Sequence, residues 1–345
     1  MLRISKIILY VFVAVLLLWE LPWLYAFLSS KAANRPTVIY SHVLRDFVIT
    51  RQDELTGTMV RTDAAGHTYT RKQVDSLLPT VYFRQLANDS RFPDSIAGCA
   101  VSPRMLQQNN FTFRSSPDNL NRPTLGLYYL FESNSGRVEL EMPKDVFRTT
   151  RSGIEFVTAE TNTVDTEKSR RFTAKMREKG FVFPARFVAG NPTPRKDYDE
   201  GCMLIDSEGR LFHLKQIMGQ PYVRLVQLPD SVEPQTAFVT EYPGRRTLAL
   251  ITDARNQLYA IGSGNYSLTR VGIPSWNPRT ESLTIIGNLF DWTIHVFSEH
   301  RNDYYAVSAD NLELLKTMAL PVEDQTYWGL HFKSSTDKYV MPRFN

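Results

Sequence analysis

Asp206-Ser-Glu-Gly209-Arg-Leu-Phe212 closes one strand, turns and opens the next, and the same shape returns three times downstream. The later copies are Asp253-Ala-Arg-Asn256-Gln-Leu-Tyr259, Ser298-Glu-His-Arg-Asn302-Asp-Tyr304 and Lys333-Ser-Ser-Thr-Asp337-Lys-Tyr339. In each, a polar residue ends a strand, a short polar turn follows, and an aromatic stands six residues after the first polar one. The aromatic recurs at separations of 47, 45 and 35 residues. The first three units then run through a second strand to a proline stop, at Leu228-Pro229, Ile273-Pro274 and Leu320-Pro321. A period of about 40–45 residues with several short strands per unit is what a four-stranded propeller blade requires, because a blade buries its faces only against its neighbours.

An earlier copy, Asp63-Ala-Ala-Gly66-His-Thr-Tyr69, leads to Leu77-Leu78-Pro79. The spacing therefore predicts an all-β, propeller-like body of about six to seven blades over residues 36–345, completed at its edge by an N-terminal strand within Thr37–His42 or Asp46–Arg51. Residues 80–180 fit the period poorly and read as an irregular insertion. Within it, Leu125–Glu132 and Val138–Met142 flank the turn Ser133-Asn-Ser-Gly136 as a hairpin. Asp165 to Lys179, closed by Gly180, reads as one short helix capped by Asp165, with Phe172 and Met176 on a shared face. Its Lys168, Arg171, Lys175 and Lys179 form a basic face, the ordinary solvated side of such a helix.

Composition agrees with a β body. Twenty Phe, sixteen Tyr and five Trp suit half-buried pleated surfaces. The formal net charge of +4 gives no basic footprint for nucleic acid. Cys99 and Cys202 stand far apart in no ligand spacing, and whether they pair is left open by the sequence.

Residues 7–28 form an apolar stretch broken only by Glu20 and Pro22. As a helix it would extend about 33 Å, enough for a hydrocarbon core of about 30 Å. Arg3 and Lys6 precede it, so the positive-inside bias keeps the N-terminus in the cytoplasm and places the body beyond the membrane. Trp19, Trp23 and Tyr25 fit an interfacial aromatic belt. The expectation is a single-pass inner-membrane anchor over residues 1–30 with a periplasmic body. The alternative is a cleaved signal peptide, with Ser30-Lys31-Ala32 at a cleavage spacing.

Motifs for chemistry are sparse. The chain has no His-Glu-x-x-His pair, Walker loop or Gly-x-Ser-x-Gly elbow, and Gly262-Ser-Gly264-Asn-Tyr-Ser267 lacks the third glycine of a dinucleotide fingerprint. His295 and His300 are set for opposite strand faces, and His42, His67 and His331 show no evident partners. No catalytic residue, metal site or cofactor is assigned. The best binding candidates are Arg195, Lys196, Asp199 and Glu200, in a loop with two prolines, and His213 on the strand that follows. The competing interpretation is that these charges pair to stiffen a turn between blades. The triplets Asp75-Ser76-Leu77, Asp94-Ser95-Ile96 and Asp230-Ser231-Val232 read equally as capped turns or as O-glycosylation acceptors.

Several phrases together resemble an uncharacterised family of membrane-anchored envelope proteins from Gram-negative gut and oral bacteria. They are Tyr69-Thr-Arg-Lys-Gln-Val-Asp-Ser-Leu-Leu-Pro79, Arg84-Gln-Leu86, Phe92-Pro-Asp-Ser-Ile96, Lys144-Asp-Val-Phe-Arg148, Gly190-Asn-Pro-Thr193 and Leu211-Phe-His-Leu-Lys215. The resemblance spans nearly the whole body and is to a domain of unknown function, so it implies compartment and architecture but no reaction. It also implies an envelope protein partner, with ABC transporter subunits as the named candidate. The expected function is a non-enzymatic binding or scaffold subunit. An envelope glycan hydrolase or lyase using Asp199, Glu200 and His213 is one alternative. A small-molecule sensor whose pocket is lined by Tyr259, Tyr304 and Tyr305 is the other.

Overall fold

The computed structural model describes residues 2–29, 36–53, 56–134, 139–322, 330–333 and 341–344. The repeated turn is a physical unit. Asp253 and Asp63 each end a strand and Asp206 directly follows one, and in each the Asp carbonyl accepts the N–H of the residue three on, while the carboxylate accepts the N–H of the residue four on. The third position after the Asp lies in the left-handed region, at Gly209 (φ 83), Asn256 (φ 59) and Gly66 (φ 90). Glycine and asparagine tolerate that conformation, which explains their place in the signature. The aromatic then returns to the aspartate, with the Tyr259 hydroxyl donating to Asp253 at 3.1 Å and that of Tyr69 to Asp63 at 2.9 Å. The Ser298 copy differs. Ser298 pairs directly with Arg301 across a two-residue turn, so the spacing to the aromatic survives while the aspartate cap does not. The turn of the copy beginning at Lys333 lies outside the described residues, as does Ser30-Lys31-Ala32.

These turns connect antiparallel meanders. Phe187–Gly190, Cys202–Ile205, Leu211–Ile217 and Gln220–Leu225 make a first four-stranded sheet. Pro234–Val239, Thr247–Asp253, Leu258–Gly262 and Leu268–Arg270 make a second. Ser282–Gly287, Asp291–Ser298, Arg301–Ser308 and Leu314–Ala319 make a third, extended at the Ser282–Gly287 edge by Phe111–Ser115. Two three-stranded sheets come earlier in the chain, Thr37–Ser41 with Asp46–Gln52 and Met59–Asp63, and Asp145–Thr149 with Ile154–Thr158 and Thr163–Asp165.

Strand periodicity sends alternate residues to opposite neighbours, which is why the sheets stack face to face. Met203 and Ile205 pack toward the second sheet, whereas Cys202 and Leu204 pack toward Phe147, Phe156 and the helix Thr166–Glu178. Tyr259 and Ile261 face the first sheet, and Leu258 and Ala260 face Trp292 and Ile294 of the third. Tyr304 and Ala306 then face Val38, Tyr40 and Phe47 of the N-terminal sheet. The body is therefore propeller-like, an ordered series of blade-type sheets, with five sheets of three or more strands among the described residues. Truncating a core member such as Leu204 to Ala costs about 2–5 kcal/mol.

The N-terminal sheet lies beside the last large one, as edge closure requires, with Tyr40 N–H donating to Thr293 Oγ1 at 2.9 Å and Lys316 paired to Asp46 at 2.8 Å. It remains its own sheet, however, and the strand that joins the last blade is Phe111–Ser115. The helix Thr166–Glu178 forms where expected, with Asp165 capping Lys168 N–H and with Phe172 and Met176 fully buried. It is not the sole one, because Arg71–Leu77, Phe83–Asn88, Pro103–Asn109 and Asp118–Asn121 are helical too. The expected hairpin of Leu125–Glu132 with Val138–Met142 does not form among the described residues. Residues 125–132 contribute only isolated bridges, Tyr128 to Phe147 and Glu132 to Gln216, and residues 139–142 are irregular.

Ahead of the body, Leu2–Ser29 is one helix whose Arg3–Leu21 span has mean hydropathy 2.2 and no buried residue. It is long and apolar enough to cross a membrane, a property that a signal sequence shares.

Candidate functional site

The loop between Phe187–Gly190 and Cys202–Ile205 carries the candidate residues to one rim of the stack. Gly201 takes φ 65 there, and a Cβ would overlap the Leu214 carbonyl oxygen, so only glycine lets the loop return this close to its neighbouring strand. Lys196 turns inward, and its side chain is 3% exposed. Its ammonium has three N–H donors and three acceptors: Asp199 Oδ1 at 2.6 Å, Glu241 Oε1 at 2.8 Å and the Asn191 carbonyl at 3.0 Å. It also stands 4.6 Å from the centre of the Phe131 ring.

Both carboxylates are filled as well. Asp199 accepts from Ser133 Oγ and from Gly201 N–H at 2.9 Å. Glu241 accepts from Asn191 Nδ2 and from Glu200 N–H, each at 2.7 Å. Burial pushes the Glu241 carboxyl above its ordinary value, against the pull of Lys196. Two buried carboxylates and one ammonium, fully hydrogen-bonded, join the insertion, the first sheet and the second.

His213 is buried at 2% exposure and committed on both nitrogens. Nε2 lies 2.5 Å from the Glu200 carbonyl, which only accepts, so Nε2 carries the proton and Nδ1 accepts from the Tyr266 hydroxyl at 2.7 Å. Burial lowers its pKa, and the ring is neutral near pH 7. The Glu200 side chain pairs with Lys215 at 2.8 Å.

The structure thus brings Lys196, Asp199, Glu200 and His213 together and leaves Arg195 exposed outside the cluster. Glu241, Ser133, Lys215 and Tyr266 complete the arrangement; Lys215 shares the His213 strand, whereas sequence reasoning missed the other three because they lie on other loops. The Lys196 ammonium, the Asp199 and Glu241 carboxylates and both His213 nitrogens are held by neighbours, which favours the inter-blade stiffening interpretation.

The other candidates separate. His42 Nδ1 lies 3.2 Å from buried Asp291, and His67 lies 2.8 Å from Asp63, so both have the partners that the sequence did not disclose. His295 stacks on Tyr304 with ring centres 4.1 Å apart. Cys99 is exposed and Cys202 buried, and both are free thiols. Among the described residues, no group of three metal-ligating side chains assembles. Tyr259, Tyr304 and Tyr305 line no common pocket: Tyr259 serves its aspartate turn, Tyr304 the blade interface, and Tyr305 bonds Arg301 and Asp303.

A cleft of about 160 Å³ opens instead on the same rim, between the second and third sheets. Phe111, Tyr242 and Trp292 form its aromatic side, and Arg245, Arg246 and Asp310 stand at its mouth. The loop 240–246 links the two places, because Glu241 belongs to the charge cluster and Tyr242 to the cleft.

Residues 37–307 match the family model described as a domain of unknown function, DUF4857. The chain belongs to this family. No curated protein matches the chain. Among solved structures it is similar to PorZ, titled an essential bacterial surface component of the type-IX secretion system of Porphyromonas gingivalis, at 13% identity and TM-score 0.27, over 83% of this chain and 32% of that one. It is similar also to the WD40 domain of SCAP from fission yeast, at 11% identity and TM-score 0.30, over 85% and 54% of the two chains. The Dos1 propeller gives 8% identity and TM-score 0.31, over 56% and 52%. The chain thus spans about a third of PorZ and about half of the other two.

Proposed function

We propose that this DUF4857 protein is a membrane-tethered binding or scaffold subunit of an envelope complex, with residues 1–30 as the anchor and residues 36–345 as a periplasmic body. The observation that carries the reading is the saturation of the rim cluster. A proton-transfer catalyst needs a group free to exchange with substrate, whereas Lys196, Asp199, Glu241 and His213 are buried and fully bonded to one another and to backbone. Such a cluster holds loops in fixed positions, and fixed loops on a rigid β scaffold make a binding rim. The exposed apolar helix supports the tether. The same saturation disfavours the glycan hydrolase or lyase reading, which requires two carboxyls with separated pKa values facing substrate.

The test is purification of the full-length protein from native membranes in mild detergent, with composition and mass measured together. An envelope protein, transporter subunits first among the candidates, held at fixed stoichiometry supports the proposal. A solitary protein, or one released from the membrane by alkaline carbonate, overturns the scaffold or the tether respectively.

A further inference from the structure

The cleft on the rim has a construction that the charge cluster lacks: an apolar wall locked in place beneath an uncompensated positive charge. Phe111 lies opposite Gly287 in the strand register, and a Cβ at Gly287 would overlap the Phe111 ring. The ring is also stacked on Tyr242, with centres 4.3 Å apart and planes at 21°, and meets Trp292 edge-on at 5.3 Å. Three elements distant in sequence therefore hold one aromatic surface that needs no rearrangement to receive a ligand.

At the mouth, Arg245 is exposed, with its guanidinium 4.0 Å from the Tyr198 ring centre and no carboxylate at ion-pair distance among the described residues. Arg246 pairs with Asp310 at 2.9 Å, but the Asp310 side chain is 85% exposed, so water screens that pair and leaves the mouth net cationic. Burial keeps the Tyr242 phenol neutral. A volume of 160 Å³ holds about five waters at about 30 Å³ each, far short of a drug-sized ligand.

We infer that this cleft is a binding site for a small carboxylate carried on a flat apolar body, the ring lying against Phe111, Tyr242 and Trp292 and the carboxylate facing Arg245. Guanidinium suits a carboxylate because its planar donors match both oxygens. The site is independent of the scaffold proposal, since it needs no protein partner.

The probe is benzoate, titrated calorimetrically into the full-length protein in detergent, with benzamide as the neutral isostere and Arg245→Gln as the variant. Partition into micelles is common to both proteins and cancels in the comparison. The expected Kd lies between about 10 μM and 1 mM for a ligand this small. Benzamide is expected to bind at least tenfold more weakly, and Arg245→Gln to lose at least tenfold with its melting temperature unchanged. Should Arg245→Gln fail to fold, Arg246→Gln, which weakens the same field, is expected to lose about threefold. Quenching of Trp292 emission, absent in Trp292→Phe, places the ligand in the cleft. No saturable heat up to about 10 mM benzoate, equal affinity for benzamide, or an unaltered Kd in the folded arginine variant overturns the site.

Discussion

Lys196→Met is the most informative single change. Methionine fills much the same space but removes the ammonium that Asp199 and Glu241 share, and these carboxylates are 1% and 0% exposed. Breaking a buried pair from one side costs about 3–5 kcal/mol, because the remaining charge stays in a poorly solvated place. For a domain of this size each kcal/mol moves the midpoint by about 2–4 °C, so a fall of roughly 6–20 °C is expected in a melt followed by near-ultraviolet dichroism. The deficit also depends on pH, with a definite sign. Glu241 already has its carboxyl raised by burial, so the fold favours its protonated form more than the unfolded chain does. Such a group gives its full stability below the ordinary value of about 4.3 and loses it as pH rises through the folded value. In Lys196→Met that folded value climbs further, and the variant should recover toward wild type as pH is lowered from 7 to 5. Lys196→Met/Glu241→Gln should likewise recover at least 1 kcal/mol at pH 7, a coupling typical of groups in one network. A Lys196→Met protein that melts within about 1 °C of wild type, or whose deficit is flat in pH, refutes the view of the cluster as a buried, bonded joint.

Asp206→Ala removes the acceptor of three backbone N–H groups, those of Val182, Glu208 and Arg210, and of the Arg210 guanidinium, and should cost about 2–4 kcal/mol in urea unfolding, with Asp206→Asn losing less. Asp63 is held at about 2 because hydrogen bonds from His67 and Tyr69 outweigh its burial. Its contribution, about 1–2 kcal/mol after screening at exposed His67, is full above the unfolded value near 3.9 and lost as pH falls toward 2, so Asp63→Asn should flatten the acid limb of the stability curve. In the native protein an alkylating reagent should modify exposed Cys99 alone, because burial raises the pKa of Cys202 and shields its sulfur. Mass spectrometry finding two adducts before unfolding would count against the packing of the first sheet.

The turn signature was legible in the sequence because its chemistry is local: aspartate, left-handed residue and aromatic all lie within seven positions. Ser298 kept the spacing but not the carboxylate, and its turn tightened accordingly. Leu125–Glu132 misled for a physical reason. Its run of aliphatic and aromatic residues suits a strand, yet Leu125 and Leu127 are 92% and 45% exposed and no continuous partner strand lies alongside. Residue type reports strand propensity, and strand pairing is decided elsewhere in the chain. Phe111–Ser115 was missed for the same reason, since its partner Ser282–Gly287 is remote in sequence. At the rim, Lys196 and Asp199 stand three residues apart and could be read together, whereas Glu241 arrives on another sheet's loop. The cleft is assembled entirely from distant positions, and only the stacking of the second and third sheets brings Phe111, Tyr242 and Trp292 into register.

The rim carrying the locked loops is the surface proposed to bind an envelope partner. A photo-crosslinking residue at exposed Arg195 on that rim, compared with one at exposed Arg255 on the opposite rim, tests it in native membranes. A single discrete adduct with an envelope protein is expected from position 195 and none from position 255. Absence of an adduct from position 195, or equal adducts from both rims, would contradict it.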